Sequence, residues 1–453
     1  MAAHSKQQLL KRIATLISEN KELREKYRLL SESYQQTMEE LDQYKQTKHS
    51  NDTASGQVRF NMATLLFVDI KGFSNIMSNA LNVERQMDKL DHYLLRFSDI
   101  LQKYRLVKIQ SIGDNLIYAG GILEKNITNP VTVTLAALEM LHVMETEGEN
   151  DTWCVNIGIH TGAVTASAAE KKHTVFRIKG DTINIVSRIV SLGGKNTVTI
   201  SATTYELVKE LFDCVYTGII PVKYQDHLEL FRVNGIRPQF AADTAHRLPN
   251  DVFRTRFLLY RFGDLQEQVL DLLEKKLPKY LYYHNVKHTV DVVTESELIG
   301  WAEGLDDHRL LLLKTAALFH DTGHIVSYAD HEERSTDIAR EMLLEHGYVP
   351  EEINEICRII MATKLPPKPA DLLESIICDA DLDYLGRTDF IPVSNSLYEE
   401  LKTQNKMSSL NEWNKMQLKF INSHQYFTAT GRKLREVKKQ EQITRIKQLI
   451  LPE

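Results

Sequence analysis

A chain of 453 residues, of which 43% are hydrophobic and 26% charged, is long enough for two or three globular domains. Its formal net charge of −6 offers no basic surface, so we predict no nucleic-acid partner. No apolar stretch reaches the roughly 18 residues that a membrane-spanning helix needs. The four dispersed cysteines form no CxxC pair. We therefore predict a soluble, cytoplasmic protein with reduced thiols and no membrane contact.

The N-terminal stretch 5–47 contains neither Pro nor Gly, and its core-type positions, mostly Leu, Ile and Tyr, are spaced alternately by four and three. That heptad spacing predicts a coiled coil, and Asn20 at an a position favours a parallel, two-stranded dimer. The alternative is one amphipathic helix packed on its own domain. Residues 48–56 then predict a hinge.

Residues 58–235 alternate strand-like and helix-like runs, which predicts an α+β sheet domain with helices on one face. The predicted strands are 62–69, 107–111, 115–119, 153–161, 197–200 and 228–233. The predicted helices are 80–104, 131–146, 182–192 and 202–212. Residues 236–252 carry two prolines and predict a linker.

Two acids stand at predicted strand ends in this domain. Asp69 closes the apolar run 65–68, and Asp114 lies in the hairpin signature at 112–115. Two carboxylates that converge repel each other and need a cation, and oxygen ligands favour Mg²⁺ or Mn²⁺. The alternative is a pair of solvated turn acids.

Further along, a predicted helix presents Asn184 and Arg188 four residues apart on one face. Asn offers amide donors and Arg a charged fork, which suit the charge that develops on a transferring phosphate. By itself such a pair is usually a solvent-exposed surface feature without a function. Lys223, near a predicted strand, adds a positive charge but by itself indicates no function.

Five segments of this domain together resemble the catalytic domain of class III nucleotidyl cyclases. They are FVDIKGFSNIM (67–77), KIQSIGDNLIYAGG (108–121), VNIGIHTGAVTAS (155–167), KGDTINIVSR (179–188) and PVKY (221–224). The resemblance implies a ferredoxin-like core, a nucleoside triphosphate substrate, and a 3′,5′-cyclic nucleotide and pyrophosphate as products. It also implies a homodimer, because family members place metal acids and transition-state residues on opposite protomers.

The resemblance also assigns roles to individual residues. The implied ligands of two Mg²⁺ or Mn²⁺ ions are Asp69, Asp114 and the carbonyl of Ile70. The implied transition-state residues are Asn184 and Arg188, and the implied triphosphate lysine is Lys223.

The two base-reading positions depart from the family pattern. Gln110 stands where adenine-specific members carry Lys and guanine-specific members carry Glu. Arg177 stands where Asp, Thr or Ser marks adenine and Cys marks guanine. Arg can only donate hydrogen bonds, so Arg177 disfavours the adenine amine and suits a base edge with a carbonyl. We predict UTP, CTP or GTP over ATP, as in the bacterial antiphage branch that makes cyclic UMP or cyclic CMP. An adenylate cyclase is the alternative, with Arg177 turned away to pair with an acid.

Residues 253–430 carry long Leu/Ile-periodic runs that predict an all-α domain, and 431–453 predict a last helix. A His/Asp series in this domain points to a metal site. Its order, H…HD…D, resembles the HD-domain phosphohydrolases, and the YHNVKH segment (283–288) is similar to cyclic-nucleotide phosphodiesterases. The implied ligands of a divalent metal are His288, His320, Asp321 and Asp381, with Asp379 as a rival for the last place. The resemblance further implies His284 as proton donor to the leaving oxygen, and His324 and His331 as holders of a second ion.

Three roles for this half stay open: gated hydrolysis of the cyclase product, hydrolysis of another phosphate compound, or metal-bound regulation. A chain with an inert cyclase unit that only senses nucleotide is a further alternative.

Overall fold

The computed structural model describes residues 57–71, 83–112, 115–123, 126–147, 153–168, 175–222 and 225–451. The predicted coiled coil and hinge lie outside these residues. The described chain divides into two compact units. The first holds residues up to Lys125 with Val143–Glu206 and Tyr216–Arg232; the second holds Asn126–His142, Leu207–Val215 and Val233–Glu453.

The strands are β1 Gln57–Lys71, β2 Val107–Ile112, β3 Asn115–Gly120, β4 Cys154–Ala168, β5 Val175–Lys179, β6 Thr197–Ser201, β7 Phe212–Val222 and β8 Gln225–Ile236. Among the described residues they form one sheet in the order β1-β3-β2-β5-β4-β6-β8-β7, and β1 also pairs with β4. The sequence did not predict β5 or β7. The first is only five residues long, and the second contains Gly218 and Pro221, which are tolerated because β7 is at the edge of the sheet.

The helices that alternate with these strands along the chain are α1 Val83–Lys103, α2 Asn129–Glu147, α3 Asp181–Leu192 and α4 Ala202–Val208. Helix α3 buries Val186, Ile189 and Val190. It approaches β4 closely at Gly158, where a Cβ atom would lie 3.0 Å from the Val190 nitrogen. The opposite face of α3, with Asn184 and Arg188, is therefore exposed.

The helical region after the sheet, called the helical unit below, contains α5 Asp251–Lys276, α6 Val286–Ala302, α7 Asp307–Phe319, α8 His331–Glu345, α9 Pro350–Met361, α10 Leu372–Asp381, α11 Phe390–Thr403, α12 Leu410–Ser423 and α13 Ala429–Leu449. Short 3₁₀ turns span Thr322–Ile325 and Asp383–Gly386. Helix α7 is the centre of the core, with Leu311, Leu313 and Phe319 fully buried. The final helix was predicted; α12 was not.

The predicted linker at 236–252 is ordered in the structure. It contains a 3₁₀ turn at Pro238–Phe240 and a bridge between Ala241 and Pro249. Its backbone is hydrogen-bonded, with the Ala242 nitrogen donating to the Leu248 carbonyl at 2.8 Å. All four cysteines are free.

Candidate functional site

Asp69 lies two residues before the end of β1. It is paired in register with Asn156 of β4, and the preceding Val68 is paired with Leu116 of β3. Its carboxylate is partly exposed and lies 3.5 Å from the Lys71 ammonium. Ile70 follows on the same strand. Asp114 lies outside the described residues, so the convergence of the two acids stays a prediction.

Asn184 and Arg188 are one turn apart on the exposed face of α3. The Arg188 guanidinium donates to the carbonyl of Pro221 at 2.8 Å, which brings it to the end of β7. Lys223 follows β7 directly but lies outside the described residues.

The two positions predicted to read the base lie on neighbouring strands. Strands β2 and β5 are parallel, with Ile109 paired to Phe176. Gln110 and Arg177 are the next residues along each strand, and Arg177 is exposed. The backbone therefore brings these two positions side by side, although they are 67 residues apart in the chain.

In the helical unit, four predicted ligands meet at one point. Asn285 caps α6 by accepting from the His288 nitrogen, which sets the first turn of that helix. The His288 Nε2 lies 3.1 Å from Asp381 Oδ1 and 3.4 Å from both Asp321 Oδ2 and His320 Nε2. The His320 Nε2 lies 3.3 Å from Asp321 Oδ2. These atoms, from α6, the end of α7 and the end of α10, can surround one metal ion.

A second group surrounds the other oxygen of Asp321. The Nε2 atoms of His324 and His331 lie 3.8 and 3.6 Å from Asp321 Oδ1. His284, Asp321 and His324 offer ligand atoms within 4.8 Å of one another, as do His288, His320 and Asp321. The two groups share Asp321, an arrangement that can hold two ions with one carboxylate between them.

The electrostatics of this centre fit a divalent metal. Burial opposes the charged form of His320, but Asp321 and Asp381 outweigh it and raise the pKa of His320 well above its usual value. Burial would raise the pKa of Asp321, yet the surrounding imidazoles hold it well below its usual range. Burial lowers the pKa of His324 to about 3, so that ring is neutral and has a lone pair to offer. Asp321 Oδ2 and both ring nitrogens of His324 are buried with no hydrogen-bond partner, which a metal ion would supply.

Sequence analysis did not identify Glu400, whose fully buried carboxylate contacts the ring of His284. Its Oε1 lies 2.5 Å from His284 Nδ1, and its Oε2 accepts from the backbone nitrogens of Tyr283 and His284. Burial and the neighbouring Glu400 carboxylate raise the pKa of the Tyr328 hydroxyl. Burial disfavours the charged form of His284, but Glu400 and Asp321 outweigh it and raise the pKa of His284. Only tertiary packing places these residues together, since they are 116 positions apart.

Asp379, the rival for the last ligand place, has a different role. Its Oδ1 accepts from the Phe427 nitrogen, and its Oδ2 accepts from the nitrogen and hydroxyl of Thr428. Thr428 in turn caps α13. Asp381 therefore lies beside His288 and His320, whereas Asp379 is hydrogen-bonded to the start of the last helix.

Two known families match separate parts of the chain. Residues 56–235 match the family described as Adenylate and Guanylate cyclase catalytic domain, and residues 285–383 match the HD domain family. The chain carries a cyclase catalytic domain followed by an HD domain. Asp69, Asn184 and Arg188 fall in the cyclase domain, and the four predicted metal ligands fall in the HD domain.

The curated relatives are similar to the cyclase domain. Guanylate cyclase soluble subunit alpha-1 of Rattus norvegicus is 29% identical over 163 residues, 35% of this chain and 23% of that protein. Guanylate cyclase 32E of Drosophila melanogaster is 28% identical over 173 residues, 36% of this chain and 15% of that protein. Receptor-type guanylate cyclase gcy-23 of Caenorhabditis elegans is 31% identical over 137 residues, 29% of this chain and 13% of that protein. The match thus spans less than a third of the length of these relatives.

Solved structures of cyclase domains are also similar to this part of the chain. The guanylate cyclase domain of RhGC from Catenaria anguillulae in complex with GTP is 23% identical, covering 40% of this chain and all of that one, with a TM-score of 0.36. The adenylyl cyclase CyaB from P. aeruginosa is 24% identical, covering 40% of this chain and 97% of that one, also with a TM-score of 0.36.

Among the described residues of this chain, no helix has the length and apolar character needed to cross a membrane.

Proposed function

We propose that the cyclase domain converts a nucleoside triphosphate into a 3′,5′-cyclic nucleotide and pyrophosphate. The observation that carries the proposal is the matched domain's combination of an acid at the end of β1 with an exposed Asn/Arg face on α3. Asp69, the carbonyl of Ile70 and Asp114 would hold two divalent ions, Mg²⁺ or Mn²⁺. Bound ions supply charge neutralisation and lower the pKa of the attacking hydroxyl.

The chemistry assigned to the chain's own residues concerns charge and alignment. The ribose 3′-oxygen forms a bond to the α-phosphorus and gives its proton to solvent, while the bond to the β-phosphate oxygen breaks and pyrophosphate leaves. Arg188 offsets the charge on the transferring phosphoryl group, and Asn184 aligns the ribose by hydrogen bonds. Lys223 binds the triphosphate.

We further propose a homodimer in which one protomer supplies Asp69 and its partner supplies Asn184 and Arg188. Mixing Asp69→Ala with Arg188→Ala chains tests this directly, because a shared site regains one intact centre in mixed dimers. We expect cyclic product from the mixture and very little from either variant alone. If the mixture forms no more cyclic product than either variant alone, the shared site is contradicted.

For the base, we propose UTP, CTP or GTP over ATP, because Gln110 and Arg177 follow paired positions on adjacent strands and Arg177 only donates. The test is incubation with Mn²⁺ and each of the four triphosphates, followed by separation of the nucleotides. Asp69→Ala should lower cyclisation by about a thousandfold, and exposed Asp99→Ala should not. Equal rates on all four triphosphates would contradict base reading by these residues. ATP as the best substrate would favour the adenylate cyclase alternative.

A second activity is proposed for the HD domain, namely metal-dependent hydrolysis of a phosphate ester. The supporting observation is the pair of ligand groups around Asp321, with buried ring nitrogens of His324 that have no hydrogen-bond partner. His284, held by Glu400, would give a proton to the leaving oxygen. The test is hydrolysis of bis(p-nitrophenyl) phosphate in the presence of Mn²⁺. We expect the full chain to hydrolyse this ester and the His320→Ala variant not to. Tight triphosphate binding without cyclisation, together with this hydrolysis, would favour the nucleotide-sensor alternative.

A further inference from the structure

The division of the chain into two compact units does not follow the boundary of the matched cyclase domain. That domain matches residues 56–235, yet Asn126–His142 and Leu207–Val215 belong to the second unit, together with the helices of the HD domain. Helix α2 is divided in the same way, since its residues from Val143 onward belong to the first unit. Part of the cyclase domain is therefore packed with the helical unit.

The start of α2 is held by a carboxylate of α5. Asp264 is only 9% exposed, and the Ile127 backbone nitrogen donates to its two oxygens at 3.2 and 3.3 Å. Burial raises the pKa of Asp264, and the Ile127 donor opposes this rise because it stabilises the carboxylate. A buried acceptor fixes its donor, since a group that is buried without a partner loses its hydrogen bonds to water. Asp264 therefore fixes the chain two residues before α2 begins at Asn129.

A second connection joins the start of β7 to the start of α5. Phe212 and Phe253 are each 1% exposed, and their rings meet edge to face with centroids 5.8 Å apart. The Arg237 guanidinium donates to the Lys209 carbonyl at 2.7 and 2.9 Å, and the Arg237 backbone nitrogen donates to the Leu211 carbonyl at 3.0 Å. Two separate segments of the matched cyclase domain are thus tied to the same helix of the helical unit.

Helix α5 also belongs to the core that carries the predicted metal ligands. Its Leu265 and Val269 lie in one buried cluster with Leu311 of α7. His320 and Asp321 are the first two residues after α7. A ligand that binds only the folded form of this core stabilises every segment that unfolds together with it.

We propose that Asn126–His142 folds and unfolds with the helical unit, so that metal bound by the HD domain controls how much of the cyclase domain is in its folded, active form. The inference rests on the proposed metal centre and adds a regulatory role to it. If the segment opened, fully buried side chains of α2 such as Val133, Leu138 and Met140 would be exposed, and the cyclase domain would lose one of its helices. Asp264 is a positioning residue for α2 in this scheme.

The experiment measures amide hydrogen exchange in the full chain by mass spectrometry. An Asp69→Ala background removes a ligand proposed for the cyclase ions, so that added Mn²⁺ reports on the HD domain. With Mn²⁺ at about 100 times its dissociation constant, opening of the core should become at least about a hundredfold rarer. We expect the slowest amides of α7 and of Asn126–His142 to slow by this same factor. Adding Asp321→Asn should abolish both effects.

Two variants on α5 test the connection itself. Asp264→Ala should speed exchange in Asn126–His142 about tenfold, because the Ile127 donor loses its acceptor. Asp271→Ala is the matched control, since Asp271 is exposed on the same helix and pairs only with Lys275. Equal exchange of the segment in the two variants overturns the role of Asp264.

The regulatory role has its own readout in the cyclase. After heating in Mn²⁺, Asp321→Asn should lose cyclisation at a lower temperature than the wild type. Equal inactivation temperatures overturn control of the cyclase by the HD metal.

The outcomes separate this inference from the metal centre on which it rests. Slowing of α7 without slowing of Asn126–His142 overturns the inference and leaves the metal centre standing. If Mn²⁺ slows neither segment, the metal centre is overturned, and exchange in rising urea decides the inference. An equal urea dependence of the slowest amides in both segments supports a single cooperative unit, and unequal slopes overturn it.

Discussion

Glu400→Gln tests the inferred role of the buried carboxylate that holds His284. The Glu400 side chain is fully buried, accepts from two backbone nitrogens and lies 2.5 Å from the His284 ring. Gln has nearly the same shape but no charge, and its NH₂ group must face donors. A hydrogen bond to a charged group contributes about 1.5–3 kcal/mol. We expect a loss of about 2 kcal/mol in stability of the helical unit.

That loss has two readouts. For a domain of this size, about 2 kcal/mol corresponds to a melting temperature lower by about 4–8 °C. Phosphoester hydrolysis, if the pair also holds His284 in the transition state, should fall about ten- to a hundredfold. Glu399→Gln is the matched control, because Glu399 is exposed and has only a 3.6 Å ion pair with Lys402. Equal melting temperatures and equal rates for the two variants would refute the role assigned to Glu400.

The pH dependence of this difference has a definite sign. Burial alone would raise the pKa of Glu400, but His284 and the backbone donors lower it, so its contribution is present above its unfolded pKa and lost as pH falls through the folded pKa. The pKa of His284 is raised, so its contribution is present below its unfolded pKa and lost as pH rises through the folded pKa. The gap in melting temperature between wild type and Glu400→Gln, measured without metal, should be widest between these two limits. A gap that keeps growing at high pH would contradict the ion pair.

Three further predictions concern the metal centre and its support. Gly323→Ala should abolish metal binding or folding of the helical unit, because the added Cβ would collide with the His331 carbonyl; metal analysis showing full occupancy would contradict this. Asp379→Ala should lower the melting temperature, because it leaves one buried and one part-buried backbone donor unpaired, and an unpaired buried donor costs about 1–3 kcal/mol. Below that temperature the variant should keep its bound Mn²⁺. A loss of metal would instead indicate that Asp379 is a ligand. The third test uses an Asp69→Ala chain, so that the remaining Mn²⁺ is bound by the HD domain. Elemental analysis should find two Mn²⁺ ions per chain in this background. Adding Asp321→Asn should leave none, and adding His288→Ala should leave one. Unchanged occupancy in both would refute the shared carboxylate.

Several features of the cyclase domain could be predicted because their signals are local. The acid at the end of an apolar run placed Asp69 at a strand end, and the spacing of four put Asn184 and Arg188 on one helix face. The strands that were missed lack such signals. Strand β5 is short, and β7 alternates weakly because it lies at the sheet edge with Gly218 and Pro221 within it. Helix α12 was missed because its buried face includes Asn414 and Gln417, which interrupt the apolar period.

The sequence by itself determined which residue types and spacings can do chemistry: the H…HD…D series, the strand-ending acid, and the Asn/Arg turn. Tertiary structure alone decided between Asp379 and Asp381, because the choice depends on where the start of α13 packs. It also brought Glu400 to His284 and Asp264 to the start of α2. Contacts over a hundred residues apart carry no periodicity along the chain, since they arise only when helices pack and bury polar groups that must then find partners.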